Sequence, residues 1–394
     1  MIPEKVFEAT LLDFFRPIRP YLDDPTVTEV MINGPGRIYV ERRGKVEKVP
    51  EQFPHLKALY AALRSAAQYV GKHVDEERPL LEGRLPDGSR LAAVLPPAGS
   101  GGPYVAIRRF FREKLTVDRL IDLGSLTPDA AELISTMVAC KQNVVIAGGT
   151  ASGKTSMLNA VSAFIPEDER VVVIEDSKEL QLQREHVVNL EARPADANGR
   201  GAISIRNLFH ITLRMRPDRI VIGEIRGGEA LDLVQAMTSG HGGCLTTLHA
   251  TYPRDVLTRL ETMSLMSDVS IPLAAMRSQI ASAIELVVQV SRLRDGSRKV
   301  THISEVTGFD MEKGTYAIRD FYVRKVDGLD ADGTVMSRLL PTGHLPSALE
   351  HVHAQGYDVP EEMHAAAAAR QRRSQRTADL PSFELPGYTN GAHP

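Results

Sequence analysis

The sequence predicts an α/β chain in two parts: a larger C-terminal domain on a parallel sheet, and a smaller N-terminal α+β domain. Three observations predict it. Four short apolar runs, NVVIA (143–147), VVVIE (171–175), RIVIGE (219–224) and CLTTLH (244–249), are separated by stretches long enough for helices. Strands alternating with helices form parallel sheets covered on both faces. The first hundred residues instead alternate strand-like runs with turn signals. Finally, the chain has 394 residues, beyond the roughly 250–300 at which a single core stops growing.

In the N-terminal part, VTEVMI (27–32), NGPG (33–36) and RIYVE (37–41) read as a hairpin, because Asn33 and Gly34 accept positive φ. Leu56, Leu59, Leu63, Ala66 and Val70 recur at helical spacing over 55–70. A second hairpin spans 80–95, with Asp87 and Gly88 at its turn. PPAGSGGP (96–103) is a loop, and YVAIRRF (104–110) is the last strand. The α+β domain is therefore placed at 1–107. RRFFREK (108–114) opens a basic linker that runs to 126.

The larger domain is placed at 127–310. Its first helix is well punctuated: Thr127 suits the N-cap, Pro128 the first helical position and Asp129 the positive end of the helix dipole. Leu133, Ile134, Met137 and Val138 form its apolar stripe. The interval 176–218 holds a polar loop, ARPADANGRG (192–201), besides helix. Residues 271–290 read as a helix with an apolar exit, and RLRDGSR (292–298) contains an Asp-Gly turn. Residues 311–363 read as a small appendage. Residues 364–394 read as a mostly disordered tail, of which AAAAARQRR can form a frayed helix. No internal repeat is present.

Composition narrows the function. Hydrophobic residues make up 43% and charged residues 25%, ordinary values for a globular chain. A net charge of -3 argues against a surface devoted to nucleic acid. Cys140 and Cys244 form no CxxC pair and no disulfide framework. MIPEKVFEATLLDFF carries acidic residues and no small-residue cleavage site, and no apolar run approaches the ~18 residues of a membrane span. The expectation is a cytoplasmic protein with reduced thiols, not inserted in a membrane, that reaches one only through partners.

GGTASGKT (148–155) matches G-x-x-x-x-G-K-[ST] between a strand-like run and a helical stretch, the context this motif requires. Its glycines let backbone N–H groups turn inward around phosphates. Gly148, Gly149, Thr150, Ala151, Ser152, Gly153, Lys154, Thr155 and Ser156 are therefore the candidate nucleotide-binding residues. Lys154 brings a point charge to the β/γ oxygens, and the Thr155 hydroxyl suits Mg²⁺. Hydrolysis further needs a metal ligand and a residue that handles the attacking water. Glu175 and Asp176 end one strand and Glu224 ends another. The carboxyl ends of parallel strands share one edge, where ligands bind, so these acids arrive beside the loop. Arg108, Arg109, Arg214, Arg216 and Arg226 are candidates to meet the charge that develops on the transferred phosphoryl group.

Four motifs in this order resemble the secretion ATPases of type II and type IV systems and of type IV pili. They are the phosphate loop GGTASGKT, the acidic box VIEDSKEL (173–180), the atypical Walker B LRMRPDRIVIGEIRG (213–227) and the His box SGHGGCLTTLHA (239–250). Within that superfamily the chain is similar to the tight-adherence (Flp/Tad) pilus ATPases. The segments RLPDGSRLAAVLPP (84–97), VAIRRF (105–110), DPTVTEVMINGPGRIYVERRGK (24–45), LETMSLM (260–266) and 328–363 carry that likeness.

The resemblance implies a hexameric ring motor with a RecA-like C-terminal domain, a PAS-like N-terminal domain, and ATP with Mg²⁺ between them. It implies work at the cytoplasmic face of the inner membrane, through platform proteins, to assemble a pilus, to assemble and retract it, or to drive type II/IV secretion. By the same resemblance Glu175 is the catalytic glutamate and Glu224 the Walker B acid, facing Mg²⁺ directly or through water. His241 and His249 are the His-box pair, Arg108 belongs to the linker signature, and Arg214 lies near the ring interface. Ala151 departs from the usual glycine and Ser156 from the usual threonine. Ser177 and Lys178 replace the more usual Thr-Ala, and Lys178 puts a positive charge near Glu175.

The His box also invites a metal reading, because His241, Cys244 and His249 fall close together. A strand over 244–248 would hold the two histidines roughly 20 Å apart or more. Two zinc ligands must each sit within about 2.1 Å of one ion, so the pair cannot share a metal. His249 is expected at the phosphate edge as a γ-phosphate sensor. His241 is expected at the other end of the strand, reporting to a neighbouring subunit or filling a turn, with Cys244 a small buried residue. Two other functions compete with a secretion motor: a RecA-like nucleic-acid motor, and a nucleotide-binding regulator that does not hydrolyse. The absence of an aromatic-rich basic groove weighs against the first, and the presence of Lys154, Glu175 and Glu224 weighs against the second.

Overall fold

The computed structural model describes residues 10–42, 44–110, 115–182, 184–195 and 199–378. In the N-terminal part, β1 (Val27–Asn33), β2 (Ile38–Arg42), β3 (Lys45–Val49), β4 (Leu80–Arg84), β5 (Arg90–Val94) and β6 (Tyr104–Arg108) form one antiparallel sheet. Its order is β3-β2-β1-β6-β5-β4. Both expected hairpins form, with Ile32 opposite Ile38 and Arg84 opposite Arg90. The helix Leu56–Tyr69 buries Leu59, Ala62, Leu63, Ala66 and Ala67. Leu56, at the foot of the expected stripe, is exposed.

The second sheet has nine strands. They are β7 (Val144–Gly148), β8 (Val171–Glu175), β9 (Val187–Glu191), β10 (Arg219–Ile222), β11 (Leu245–His249), β12 (Leu286–Arg292), β13 (Arg298–Asp310), β14 (Thr315–Leu329) and β15 (Val335–Pro341). The order is β15-β14-β13-β12-β7-β11-β10-β8-β9. From β12 to β9 every neighbouring pair is parallel. From β12 to β15 the pairs are antiparallel. Every residue of β7 and of β8 is buried. Helices on both faces explain why these strands read as unbroken apolar runs.

All four expected strands are present, and two parallel strands join them that the sequence reading did not foresee. β9 is an edge strand that keeps partial exposure along its length, so it lacks a strong apolar signature. β12 begins where 271–290 was read as helix. The helix stops at Ala283, and the β-branched stretch that follows extends beside β7. Thr127 occupies the N-cap of the helix Pro128–Ala139 with extended backbone, but its hydroxyl makes no cap bond.

The appendage boundary at 311 needs correction. It falls in the turn of the β13–β14 hairpin, where Asp310 pairs with Thr315. Phe321, Tyr322, Leu339, Val352, Val359 and Met363 lie in the same buried cluster as Val144 and Ile146 of β7. Residues 311–363 thus extend the large sheet and share its core. The tail reading also shifts: the helix Glu361–Ala378 is formed and begins with Met363 buried. Residues 379–394, expected to be disordered, lie outside the described residues. So do 111–114 of the expected linker, whose later part forms a helix, Val117–Asp122, with Leu120 in the large core. Among the described residues, no helix is long and apolar enough to cross a membrane.

Candidate functional site

The site forms at the edge where the parallel strands end. β7 finishes at Gly148, and the chain turns tightly before the helix Lys154–Val161. A Cβ on Gly148 would lie 2.3 Å from the Val290 carbonyl oxygen and 2.4 Å from Ser152 Oγ. Ala151 and Gly153 are both left-handed, with φ of +57° and +93°. Residues 150–156 line one cleft together with Glu175, Asp176, Glu224 and His249. The helix that starts at Lys154 aims unpaired N–H groups at it, the arrangement that favours anions. Ser152 Oγ is buried in this loop without a partner.

Lys154 Nζ folds back on its own loop and donates to the Gly149 carbonyl at 2.9 Å. It also lies 3.3 Å from His249 Nδ1. It lies 3.4 Å from His249 Nε2 as well, and that Nε2 is 2.9 Å from Glu224 Oε1. Burial and the neighbouring Lys154 ammonium favour a neutral imidazole here. Register brings these groups together, since His249 on β11 stands opposite Gly148 at the end of β7.

Glu175 is the last residue of β8 and is buried. Its Oε1 accepts from the N–H groups of Glu179 at 2.8 Å and Leu180 at 2.9 Å. Gly223 makes room for it, because a Cβ there would stand 3.0 Å from Glu175 Cγ. Burial pushes the Glu175 carboxyl up to about 7, against the pull of those two backbone donors. Burial likewise brings Lys154 down to about 8, opposed by the Glu224 carboxylate. His249 is held below its ordinary value by burial and by the Lys154 ammonium, with Glu224 acting the other way. The site therefore holds a carboxyl poised near neutrality beside a weakened ammonium.

The arginines divide. Arg108 lines the cleft from the end of β6. Arg226 lines it too, with Nη2 at 2.6 Å from Glu224 and Nη1 at 3.4 Å from Asp176. Arg109, Arg214 and Arg216 do not line the cleft, which corrects their place among the candidates for this site in one chain. The Arg109 guanidinium bonds to the carbonyls of Asp24 and Val27 within the N-terminal part. Arg214 and Arg216 sit between the helix Ile205–Thr212 and the start of β10. They occupy the opposite edge of the sheet, because that helix returns the chain to the strand's beginning.

His241 also stands away from the cleft. It precedes β11, and its N–H bonds to the Ala236 carbonyl at the end of a helix. Cys244 is fully buried beside it, and burial pushes its thiol up to about 12, so it is inert packing. Lys178 is exposed and does not line the cleft.

Three arginines in or beside the cleft escaped the sequence reading. Arg90, on β5, lines the cleft and pairs with Glu179 at 3.1 Å. Arg84, on β4, donates to Ser177 Oγ at 2.6 Å. Arg298, on β13, donates to the Ala151 carbonyl at 2.9 Å. All three lie far along the chain from the loops they touch. The segment that contains Arg84 and Arg90 drew notice only as a hairpin and as a family likeness.

The family model described as Type II/IV secretion system protein matches residues 13–325. The type IV secretion system protein VirB11 of Brucella suis is 34% identical over 340 residues, covering 78% of this chain and 93% of that protein. The conjugal transfer protein TrbB of Rhizobium radiobacter is 34% identical over 293 residues, covering 73% and 86%. The X-ray structure of the Legionella pneumophila ATPase DotB has a similar fold, with a TM-score of 0.54 at 19% identity over 76% of this chain and 82% of that one.

Proposed function

The chain belongs to the type II/IV secretion system protein family, and on that premise we propose that it is a Mg²⁺-dependent ATPase that drives a secretion or pilus machine. The observation that carries the reading is the meeting of Lys154, Glu175, Glu224 and His249 around one phosphate loop. The unpartnered Ser152 hydroxyl and the helix N-terminus fit a phosphate chain. Thr155, with Glu224 directly or through water, would hold Mg²⁺, which supplies positive charge to the phosphate oxygens.

Lys154 exchanges its bond to Gly149 for the β/γ oxygens of ATP. Glu175, fixed through Oε1, takes the proton of the water that attacks the γ-phosphorus, and ADP departs. Arg108 and Arg226 meet the charge that develops there, and His249 senses the γ-phosphate. Arg214 reaches such a site only from a neighbouring subunit, which agrees with a hexameric ring. In this reading the large sheet is a RecA-like motor domain and the N-terminal part a PAS-like domain. The sequence likeness supports a tight-adherence pilus role at the cytoplasmic face of the inner membrane, through platform proteins. The conjugation and secretion relatives support the wider class of machine.

Purified protein should release phosphate from ATP only with Mg²⁺, and Lys154→Ala should abolish release. Glu175→Gln and Glu224→Gln should bind ATP yet turn over at least about tenfold more slowly. Unchanged turnover in both would make the acids structural. Strong stimulation by DNA or RNA would favour a nucleic-acid motor instead.

A further inference from the structure

Ala151 is a non-glycine residue held left-handed in the phosphate loop. Such a residue pays a steric cost between its Cβ and the following carbonyl, so something must hold it. One side chain does. Arg298 Nε donates to the Ala151 carbonyl at 2.9 Å. The same side chain covers the second left-handed residue, because a Cβ on Gly153 would lie 3.2 Å from Arg298 Cδ.

Arg298 is itself well fixed. It opens β13 opposite Arg292, across a turn in which the Leu293 N–H bonds to the Ser297 carbonyl at 2.7 Å. Asp295 ties that turn to Ser297 and to Val335. Arg292 pairs with the buried Glu41 of β2 at 2.8 Å. At the end of one hairpin, then, one arginine faces the N-terminal sheet and the other faces the phosphate loop.

We propose that Arg298 is a positioning residue for nucleotide binding, bracing Ala151 and Gly153 in the conformation that receives phosphate. The proposal rests on the ATPase reading above and adds a residue that the four motifs do not contain. It acts through the loop and touches no reacting atom, so its loss should weaken binding and leave the chemical step alone.

The test measures affinity for a fluorescent ADP analogue, together with hydrogen exchange of 148–156 in the nucleotide-free protein. Arg298→Ala should weaken affinity about tenfold, as expected for one charge-assisted hydrogen bond. It should raise KM for ATP alike, keep kcat within about threefold of wild type, and speed exchange in the loop. Arg298→Lys keeps the charge and loses the Nε donor, and should behave in the same direction. Adding Ala151→Gly to Arg298→Ala should bring affinity back to within about threefold of wild type, since glycine takes the left-handed conformation without the clash. A general packing defect would not be repaired by that change. Wild-type affinity and exchange in Arg298→Ala, or failure of Ala151→Gly to restore binding, would overturn the brace. Should wild-type protein bind no ADP at all, the ATPase reading falls, and loop exchange alone then decides whether Arg298 holds the loop.

Discussion

Glu175 and Lys154 show how burial shifts two ordinary side chains toward the protonation states that the proposed reaction needs. An unperturbed glutamate titrates near 4.3, whereas Glu175 is raised to about 7. As the proposed base it must be ionised to accept a proton, so activity should rise as pH climbs through about 7. Lys154, lowered to about 8, must stay protonated to hold phosphate, so activity should fall above that value. The kcat/KM profile for ATP reports free-enzyme groups, and a bell between these limbs is expected. An acid limb near pH 4 would show that Glu175 is not the base. The raised carboxyl also affects stability. The folded chain holds this proton more tightly than the unfolded chain, so the contribution is present at low pH and lost as pH rises through about 7. The acid and the lysine were legible in sequence, because strand-end position and motif spacing suffice to place them. Their shifts were not, because desolvation depends on what packs around them.

β10 shows the same at the level of an element. Arg219 begins this strand with its side chain fully buried, paired with Glu169 and near the Gly243 carbonyl. Glycine is required at 243, with φ of +77°, since a Cβ there would stand 2.2 Å from Arg219 Nη1. This pin fixes the start of the strand whose far end delivers Glu224. Removing one partner of a buried pair strands the other charge, at a cost of about 3–5 kcal/mol. Glu169→Ala should therefore lower the unfolding midpoint in urea clearly, while the exposed-pair variant Arg254→Ala leaves it nearly unchanged. Equal midpoints would mean that water reaches Arg219. In sequence, Arg219 looks like one more surface arginine near a motif. Only the crossing of three segments around it reveals a buried charge.

Across the whole molecule, two sheets meet at the cleft. β5 contributes Arg90 and β6 contributes Arg108, while the large sheet supplies the loop and the acids. Arg84 and Arg90 grip the loop after Glu175, so movement of the N-terminal part changes the surroundings of the proposed base. Arg214 and Arg216 lie at the far edge of the sheet, and a ring would carry them toward a neighbour. If subunits cooperate in this way, turnover per chain should rise with protein concentration as oligomers assemble, followed by light scattering. Constant turnover down to dilute monomer would contradict a ring mechanism.

By itself the sequence determined the parallel-strand core, the phosphate loop, Glu175 at the end of β8, Glu224 just past the end of β10, and the placing of His249 at their edge. These follow from local spacing, because a strand between two residues fixes which edge each one reaches. Only the tertiary structure decided that β12 to β15 form one sheet with the parallel strands, that Arg109, Arg214 and Arg216 lie away from this chain's cleft, that Arg90 lines it, and that Arg298 bonds to its phosphate loop. Those facts depend on which distant segments pack together. Arg298 lies 147 positions from Ala151 in the chain, and no local pattern records their meeting.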